Sequence, residues 1–431
     1  MTLAANPVIP LKRLAAVMPS NVDKHSVDGE QQVSLCNYVD VYKNERITDA
    51  LNFMEATATE AQVSRFTLQA HDVIVTKDSE EPTDIGIPAY VPSSLPGVVC
   101  GYHLAVLRPS DERLYGGYLH WALQSAEVKA YYSTAATGIS RYALGIGDLG
   151  MTPIHVPSRT EQVRIANFLD EQTARIDALI AEKERLVKRL SEIRYSTISW
   201  AVTGGLHLNK GTCKTGHPFI PELPSGWQLG GLTKYIGPVV DYRGKTPEKV
   251  EEGVLLVTAR NIRDGLLDYR ASAEYVRDDA YEEIMRRGRP EVGDVLFTTE
   301  APLGQVANVD RTDIALAQRV VKFRGLTGVL NNYFLKYWLM GDAVQSTLTT
   351  LATGSTAEGI KASKLGQIPV AVPSIDEQAE IVAFLDERRV VFDAVSNHAQ
   401  EHIDRLREYR SSLISAAVTG QLDLSTFKDV Q

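Results

Sequence analysis

Apolar residues follow two different patterns along the chain, and each pattern occurs twice. Short runs of β-branched and aromatic residues, separated by Gly, Pro and Asp, fill residues 1–157 and again residues 225–373. Apolar residues then recur at helical spacing over 158–204 and over 374–420, and 421–431 is left as a short C-terminal tail. Short runs predict strands, and helical spacing predicts amphipathic helices. The pattern therefore predicts an α+β fold with two mixed regions, here called variable regions 1 and 2, each followed by one long helix.

The two halves are copies of each other, with position 153 aligned to position 369 at an offset of 216. Residues 153–178 and 369–394 are identical at 13 of 26 positions without a gap. Further upstream the register drifts, so that 71–76 resembles 293–298 at an offset of 222. A repeat of this length indicates a duplicated pair of domains rather than a solenoid. Residues 205–224, which contain Gly, Pro and Lys without an apolar period, are predicted to be the linker between the copies.

Each predicted helix carries its own start and stop signals. Ser158 and Ser374 open capping boxes, and Gly204 and Gly420 can adopt the left-handed conformation that ends a helix. A long helix with one apolar stripe needs a partner, most simply the other copy, so the helices are predicted to form a spacer pair. An ordinary core helix in each region stays open as the alternative. Heptad spacing places the helix-spacer packing at Leu169, Ile176, Leu179, Leu186, Leu190, Ile193, Leu385, Phe392, Val395, Leu406 and Tyr409.

Local patterns predict similar elements in the two variable regions. Variable region 2 is predicted to have strands at 253–259, 294–299, 305–309 and 319–323 and a helix at 331–341. Variable region 1 repeats this scheme with strands at 72–76 and 102–107 and a helix at 118–131.

Composition narrows the class of protein. The chain has 431 residues, three widely spaced cysteines and no apolar run long enough for a membrane helix, which fits a cytoplasmic protein without disulfides. Its net charge of −9 argues against a non-specific polyanion binder. The excess acid is concentrated in residues 1–157, with 11 basic and 17 acidic side chains, whereas residues 226–372 hold 18 of each.

The sequence contains no convincing catalytic motif. His398 and His402 fit the spelling of an inverted zinc-protease motif, but they lie within the second predicted helix and no third ligand is evident. Lys245 follows Gly244 as in a phosphate-binding loop, yet Val239 stands where that loop needs its first glycine. We therefore predict no catalytic residues and no metal site, and a zinc hydrolase is the weakest alternative.

The remaining candidates for function are polar and cationic residues in predicted turns. Arginine and asparagine read base edges in DNA, whereas lysine, serine and threonine commonly hold phosphates. On this chemistry the predicted DNA-binding residues are Arg243, Lys245, Thr246, Arg260, Asn261, Arg263, Arg319, Ser355, Lys361 and Lys364 in variable region 2, with Ser140 and Arg141 in variable region 1.

With these motifs assembled, the chain resembles the DNA-specificity subunits of type I restriction–modification enzymes. The resemblance rests on the duplicated block that begins at Pro153 and Pro369, on the helix ends Ala-Val-Thr-Gly, and on the segments 241–247, 293–304 and 354–361. Variable region 1 departs from the family because it lacks the Arg-Gly-Lys-Thr-Pro loop.

The resemblance implies a non-catalytic subunit with two target recognition domains, one for each half of a bipartite asymmetric DNA site. It implies that the two long helices pack antiparallel as a coiled-coil spacer with pseudo-twofold symmetry. The implied partners are double-stranded DNA, two modification (methyltransferase) subunits and restriction (helicase/nuclease) subunits. S-adenosylmethionine, ATP and Mg are expected on those partners, with no cofactor on this chain. A coiled-coil scaffold or adapter that binds proteins but no DNA stays open as the alternative function.

Overall fold

The structure is a computed structural model that describes residues 6–207, 211–242, 247–353 and 359–424. The chain forms two compact units, of which unit 1 comprises Met1–Glu184 with Glu401–Gln431 and unit 2 comprises Arg185–Gln400. Each unit thus combines one variable region with the first half of one long helix and the second half of the other.

Unit 1 contains thirteen short strands and five short helices among its described residues, before the first long helix begins. In chain order these are β1 Val8–Pro10, β2 Ala15–Pro19, β3 Gln31–Cys36, α1 Tyr38–Lys43, β4 Met54–Ala58, α2 Glu60–Phe66, β5 Thr67–Leu68, β6 Val73–Thr76, β7 Asp78–Ser79, β8 Pro88–Tyr90, β9 Leu95–Cys100, β10 Leu104–Pro109, α3 Gly116–Leu123, α4 Ala126–Ala135, β11 Thr137–Gly138, β12 Tyr142–Ala143, α5 Ile146–Met151 and β13 Pro153–His155. A 3₁₀ turn spans Leu11–Arg13, and α6, the first long helix, spans Arg159–Gly204.

Unit 2 has a similar composition. Its described elements are β14 Thr212–His217, β15 Ile220–Pro224, β16 Gln228–Gly231, β17 Val240–Asp241, β18 Lys249–Val250, β19 Val254–Val257, β20 Ile262–Arg263, β21 Leu266–Leu267, β22 Tyr275–Val276, α7 Tyr281–Ile284, β23 Val295–Thr298, β24 Val306–Asn308, β25 Ile314–Leu316, β26 Val320–Phe323, α8 Asn332–Met340, α9 Asp342–Leu351, β27 Pro369–Val372 and α10 Ile375–Val418. Short 3₁₀ turns lie at Leu232–Lys234, Ala259–Asn261, Asp278–Ala280 and Ala362–Gln367.

The central sheet of each unit contains a strand that is buried on both faces. In unit 1 the strand order is β2-β10-β6-β8, and in unit 2 it is β17-β26-β23-β24. Val73 of β6 packs in one core of unit 1, and its neighbour Ile74 packs in the other. Val295 and Leu296 of β23 divide in the same way between the two cores of unit 2. Burial on both faces explains why these strands read as unbroken apolar runs rather than alternating ones.

The C-terminal end of each long helix is part of a hydrophobic core. Ala201 and Val202 of α6 are buried in the main core of unit 2, and Ala417 and Val418 of α10 are buried in the main core of unit 1. Small and β-branched side chains allow a helix to approach its neighbours closely without leaving voids. The repeated Ala-Val-Thr-Gly sequence is therefore a docking segment as well as a helix terminus.

The two long helices run antiparallel within each unit. In unit 1, Arg410 of α10 contacts Asp177 of α6 at 2.9 Å, whereas Arg407 contacts Glu184 at 2.8 Å, so one helix descends as the other ascends. In unit 2, Arg194 pairs with Asp393 at 3.0 Å, and the sequence repeat aligns this pair with Arg410 and Asp177. The predicted fold class, with mixed regions and two long antiparallel helices, is confirmed.

The predicted seam between the helices is correct in only one of its two phases. The buried or half-buried members are Leu169, Ile176, Leu190, Leu385, Phe392 and Leu406. The other phase is exposed, with exposed fractions of 47% at Leu179, 43% at Leu186, 45% at Ile193, 41% at Val395 and 57% at Tyr409.

Helix rotation explains this correction. Gln162 is buried and hydrogen-bonded to variable region 1, so it fixes which face of α6 points inward. Ile180 lies five full turns further along the helix, at about 3.6 residues per turn, and it packs against the core of unit 1. Leu179 is rotated by about 100° from Ile180 and therefore faces outward. The second seam position therefore lies four residues after the first rather than three. Thr173 follows Leu169 at this spacing, and Ile180 follows Ile176.

Three smaller predictions also need correction. The helix predicted over 118–131 is two helices, because Ser125 is an N-cap whose hydroxyl accepts the N–H of Val128 and starts α4. The first long helix ends at Gly204, as predicted, but Gly204 is itself helical and the left-handed conformation is taken by Gly205, with a φ of 69°. In the segment predicted as a linker, β14 and β15 form a hairpin.

Candidate functional site

A short ribbon of extended chain lies at the same place in both units. In unit 1, β12 pairs with β11 and β7, so that Ala143 lies opposite both Thr137 and Asp78. In unit 2, Gly359 forms bridges with both Thr353 and Glu300. The three positions of one ribbon align with those of the other under the same offsets, 216 and 222, that relate the two halves of the sequence. The two ribbons are therefore equivalent, and the aligned carboxylates Asp78 and Glu300 each line a cavity beside their ribbon.

The cavity of unit 2 has a volume of about 340 Å³ and mostly polar walls. Its lining residues are Thr299, Glu300, Gln318, Arg319, Thr353, Gly359, Ile360 and Lys361. Arg319 Nε contacts Glu300 Oε1 at 2.8 Å, and the two side chains are 55% and 42% exposed. The cavity thus offers a cation and a carboxylate side by side to a ligand from solvent.

The backbone of Arg319 is held in an unusual conformation. Its φ is 73°, in the left-handed region that costs a non-glycine residue roughly 1–2 kcal/mol. The N–H of Thr299 donates to the carbonyl of Arg319 at 2.8 Å, and the Thr299 hydroxyl donates to the same oxygen at 3.2 Å. These two hydrogen bonds fix the direction in which the Arg319 side chain leaves the sheet.

The equivalent cavity of unit 1 has a volume of about 400 Å³ and different chemistry. It is lined by Tyr38, Tyr42, Asp78, Ser79, Glu80, Asp84, Ser140 and Arg141. At its edge His103 Nδ1 contacts Asp78 Oδ2, and Arg141 lies 3.7 Å from the same carboxylate. The lining contains three carboxylates and one guanidinium, so this cavity is more acidic than that of unit 2.

The aromatic wall of the unit 1 cavity is also fixed by hydrogen bonding. The rings of Tyr38 and Tyr42 stack with centroids 5.6 Å apart, and the hydroxyl of Tyr42 donates to Asp84 Oδ2 at 2.7 Å. This hydrogen bond and the charge of Asp84 raise the pKa of Tyr42. The tyrosine therefore stays protonated near neutral pH and presents a flat apolar face to the cavity.

A buried carboxylate anchors the central sheet of each unit, at the start of the strand whose other end leads to the cavity. In unit 1, Arg108 donates from Nε and NH2 to the two oxygens of Asp72, both at 2.7 Å. In unit 2, Asp294 accepts from Lys322 at 2.8 Å and also contacts Arg324. The repeat aligns Arg108 with Arg324 at the offset of 216, and Asp72 with Asp294 at the offset of 222. Burial raises the pKa of Asp294, but the hydrogen bonds from Arg324 and Lys322 outweigh it and keep the pKa below its usual value.

A buried glutamine joins each variable region to its following helix. Gln162 Oε1 accepts a hydrogen bond from the backbone N–H of Tyr115 at 2.8 Å, while Gln162 Nε2 donates to the backbone carbonyl of Arg113 at 2.6 Å. Gln378 forms the corresponding hydrogen bonds. It accepts from the N–H of Asn331 at 2.7 Å and donates to the carbonyl of Val329 at 2.8 Å. These contacts orient each variable region on its own helix.

A serine near the end of each long helix caps a helix of the variable region in the same unit. In unit 1, the hydroxyl of Ser415 on α10 accepts the N–H of Ala126, the first residue of α4, at 3.0 Å. In unit 2, the hydroxyl of Ser199 on α6 accepts the N–H of Asp342, the first residue of α9, at 2.9 Å. Each variable region is therefore held by both long helices, in the same way in both units.

The structure brings several of the predicted DNA-binding residues to exposed positions. Arg319 and Lys361 line the cavity of unit 2, and Ser140 and Arg141 line the cavity of unit 1. Arg260 and Arg263 are exposed on the 3₁₀ turn and the hairpin that follow β19. The predicted residues Arg243, Lys245, Thr246 and Ser355 lie outside the described residues.

Two of the predicted DNA-binding residues have structural partners instead. Asn261 is fully buried, and its Nδ2 donates to the carbonyls of Asp268 and Ser272, both at 2.9 Å. The prediction is wrong for Asn261 because its amide closes the turn beneath the β20–β21 hairpin. Lys364 is half-buried, and its Nζ donates at 2.8 Å to the carbonyl of Leu351, the last residue of α9. It stabilises that helix end rather than lining the cavity.

Sequence reasoning missed the acidic members of both cavities, Glu300 and Asp78, and it missed His103. The repeat contained the signal for all three. Extending the offset of 222 a little beyond 71–76 aligns Asp78 with Glu300, and the offset of 216 aligns His103 with Arg319. The structure supports this alignment, because the backbone N–H of Lys77 donates to the carbonyl of His103, just as the backbone N–H of Thr299 donates to the carbonyl of Arg319.

The described part of the chain contains neither a membrane-spanning helix nor a group of metal ligands. None of its helices combines the length and the apolar character required to cross a membrane. Within the same ranges, no three His, Cys, Asp or Glu side chains are grouped as metal ligands, and this includes those around His398 and His402.

Comparison with known proteins gives consistent matches. Residues 288–398 match the family model of the type I restriction modification DNA specificity domain. The EcoBI specificity subunit of Escherichia coli is 22% identical over 63% of this chain, which spans 58% of the length of that relative. The EcoKI specificity subunit of Escherichia coli strain K12 is 20% identical over 82% of this chain and 75% of its own.

A solved structure shares the fold. It comes from work on complex assembly and conformational transition of the type I R-M system, and its chain is 17% identical to this one with a TM-score of 0.72. The match covers 97% of this chain and 99% of that one.

Proposed function

We propose that this chain, which is similar to type I restriction–modification DNA specificity subunits over more than half of its length, is the sequence-recognition subunit of such an enzyme. In this role it binds a bipartite, asymmetric DNA site, with one half-site for each variable region. The observation that carries the proposal is the pair of equivalent ribbons, each with a cavity beside it whose side chains differ from those of the other.

The chemistry of the cavities supports DNA as the ligand. Bases in the major groove present hydrogen-bond acceptors and exocyclic amines, which are read by guanidinium groups and by carboxylates. Arg319 with Glu300, and Arg141 with Asp78, supply such a combination in each unit. Because the two sets are not identical, the two half-sites are expected to differ in sequence.

We propose that the chain itself is non-catalytic. It positions DNA for two methyltransferase subunits, which supply S-adenosylmethionine, and for restriction subunits, which supply ATP and Mg. Methylation of a base requires that the base leave the stack, and this step belongs to the partners. The duplicated framework supports two identical modification partners, because a repeated chain presents similar surfaces twice.

The test is to co-express the chain with the methyltransferase subunit of its own operon in a host without adenine methylation. Single-molecule sequencing then maps every methylated adenine in the genome. We expect a single two-part motif with unlike halves at a fixed spacing. Methylation without sequence preference, or a chain that binds the methyltransferase while the complex binds no DNA, would contradict the proposal and favour an adapter.

A further inference from the structure

We propose that Arg319 and Glu300 act as one reading unit for a single G·C base pair in the half-site of variable region 2. The proposal rests on the DNA-recognition function above and adds the identity of one base pair. Arg319 donates from its terminal amino groups to O6 and N7 of guanine. Glu300 accepts a hydrogen bond from the N4 amine of the paired cytosine.

The geometry of the pair fits this task. Arg319 Nε is engaged with Glu300 at 2.8 Å, and this contact restrains the plane of the guanidinium. A guanidinium presents its donors in a rigid planar fork, and this fork matches the two acceptors on the guanine edge. Since guanine O6 and cytosine N4 are neighbours in the major groove, an adjacent arginine and carboxylate can contact one base pair together.

The strained backbone of Arg319 gives a second, independent observation. A residue held at φ 73° persists only where its surroundings impose that conformation. The carbonyl of Arg319 is held in addition by the two hydrogen bonds from Thr299. An arginine on the surface that served only for solubility would need no fixed direction. The fixed backbone limits the positions that the side chain can reach, and this favours base reading over a loose phosphate contact.

The carboxylate is the most specific part of the argument. DNA is a polyanion, so a glutamate at its surface is repelled by the phosphates and reduces non-specific affinity. A carboxylate is useful in such a surface where it accepts a hydrogen bond from an exocyclic amine, and cytosine N4 is the amine that Asp and Glu commonly contact.

Unit 1 keeps the pairing but changes its chemistry. His103 occupies the position of Arg319, and Asp78 occupies that of Glu300. A basic partner and a carboxylate therefore recur at this site while the reach and the number of donors change. This is expected of a position that determines sequence specificity, because the fold tolerates both pairs while the ligand does not.

The experiment uses the complete complex and genome-wide mapping of methylated adenine. Arg319→Ala and Glu300→Gln are compared with Arg311→Ala and Asp313→Asn, an exposed pair in the same unit in which Arg311 Nε contacts Asp313 at 2.6 Å. The control pair precedes β25, whereas Arg319 follows that strand, so the two pairs flank its opposite ends.

We expect each of the two cavity variants to relax one and the same position of the motif, a G·C pair in wild type, by about 10- to 100-fold in discrimination. All other positions, including the second half-site, should stay unchanged, and the control variants should keep the wild-type motif. Purified complex should also bind less tightly to a duplex carrying 7-deazaguanine at that position, with no further loss for Arg319→Ala.

The proposal is overturned if Arg319→Ala lowers methylation evenly at all sites without relaxing any position, since this is the behaviour of a phosphate contact. It is also overturned if the relaxed position is an A·T pair, or if the two cavity variants relax different positions. A wild-type complex that yields no bipartite motif would instead contradict the proposed function itself, so the two failures are distinguishable.

Discussion

The two units of the molecule differ at the cavities but share the buried carboxylates that anchor their central sheets. The carboxylates Asp72 and Asp294 anchor the central sheets with buried ion pairs at equivalent positions. By contrast, the more accessible positions at the opposite ends of these strands carry Asp78 with His103 in unit 1 and Glu300 with Arg319 in unit 2. The duplicated chain has kept its framework and changed its ligand-facing edge.

This difference has a physical cause. A buried charged or polar group must keep its partner, since loss of one member leaves the other desolvated and unpaired. An exposed ion pair contributes only about 0–1 kcal/mol, so it can be replaced at little cost to folding. Residues at the cavities are therefore free to diverge, whereas the anchoring residues are not.

The largest expected effect comes from breaking the buried anchors. Asp294→Asn removes the partner of Lys322, whose side chain is only 9% exposed, and should lower the free energy of unfolding of unit 2 by about 3–5 kcal/mol. Asp72→Asn should cost unit 1 less, because Arg108 is 22% exposed and can be partly solvated. Urea unfolding followed by hydrogen exchange in peptides from each unit measures both.

The matched control is Asp279→Asn, which removes a fully exposed pair with Arg277 and should leave stability nearly unchanged. The pH dependence has a defined sign. Since the pKa of Asp294 is lowered in the folded protein, its contribution is present above the unfolded pKa of about 3.9 and is lost as pH falls through the folded value. Equal losses in Asp294→Asn and Asp279→Asn would contradict the anchoring role.

A smaller effect is expected from the serine caps, which test whether the two units are held alike. Ser199→Ala and Ser415→Ala each remove a hydroxyl that accepts the first N–H of a helix, and each should cost about 1 kcal/mol. Protection from hydrogen exchange should fall in α9 for the first variant and in α4 for the second.

Ser196→Ala changes an exposed serine on the same helix as Ser199 and serves as the control. If either cap variant weakened the helix of the wrong unit, or if only one of the two had any effect, the equivalence of the units would be contradicted.

The duplication and the paired long helices could be predicted from the sequence, because they depend on periodicity and local signals. The first helix starts as expected, with the Ser158 hydroxyl accepting the N–H of Glu161. The exposed seam at Leu179 could not be foreseen from spacing alone, since positions three and four residues apart share a helix face. Only the contact of Gln162 with variable region 1 decides between them.

The candidate site was harder to predict because its members are distant in sequence. Asp78, His103 and Arg141 meet through strand pairing, and a survey of cationic turns selects only the last of them. Asn261 is the opposite case. Its residue type and turn position indicated a base contact, but the hairpin over 262–267 folds so that the amide bonds inward.

The central claim is that one framework carries two different reading edges, and one chimera tests it directly. Residues 1–157 are replaced by a second copy of residues 225–373, and the chimera is co-expressed with the methyltransferase subunit for genome-wide mapping of methylated adenine. The account predicts a symmetric motif in which the half-site of variable region 2 occurs twice in inverted orientation. A folded chimera that still methylates the original asymmetric motif, or that methylates without sequence preference, would contradict it.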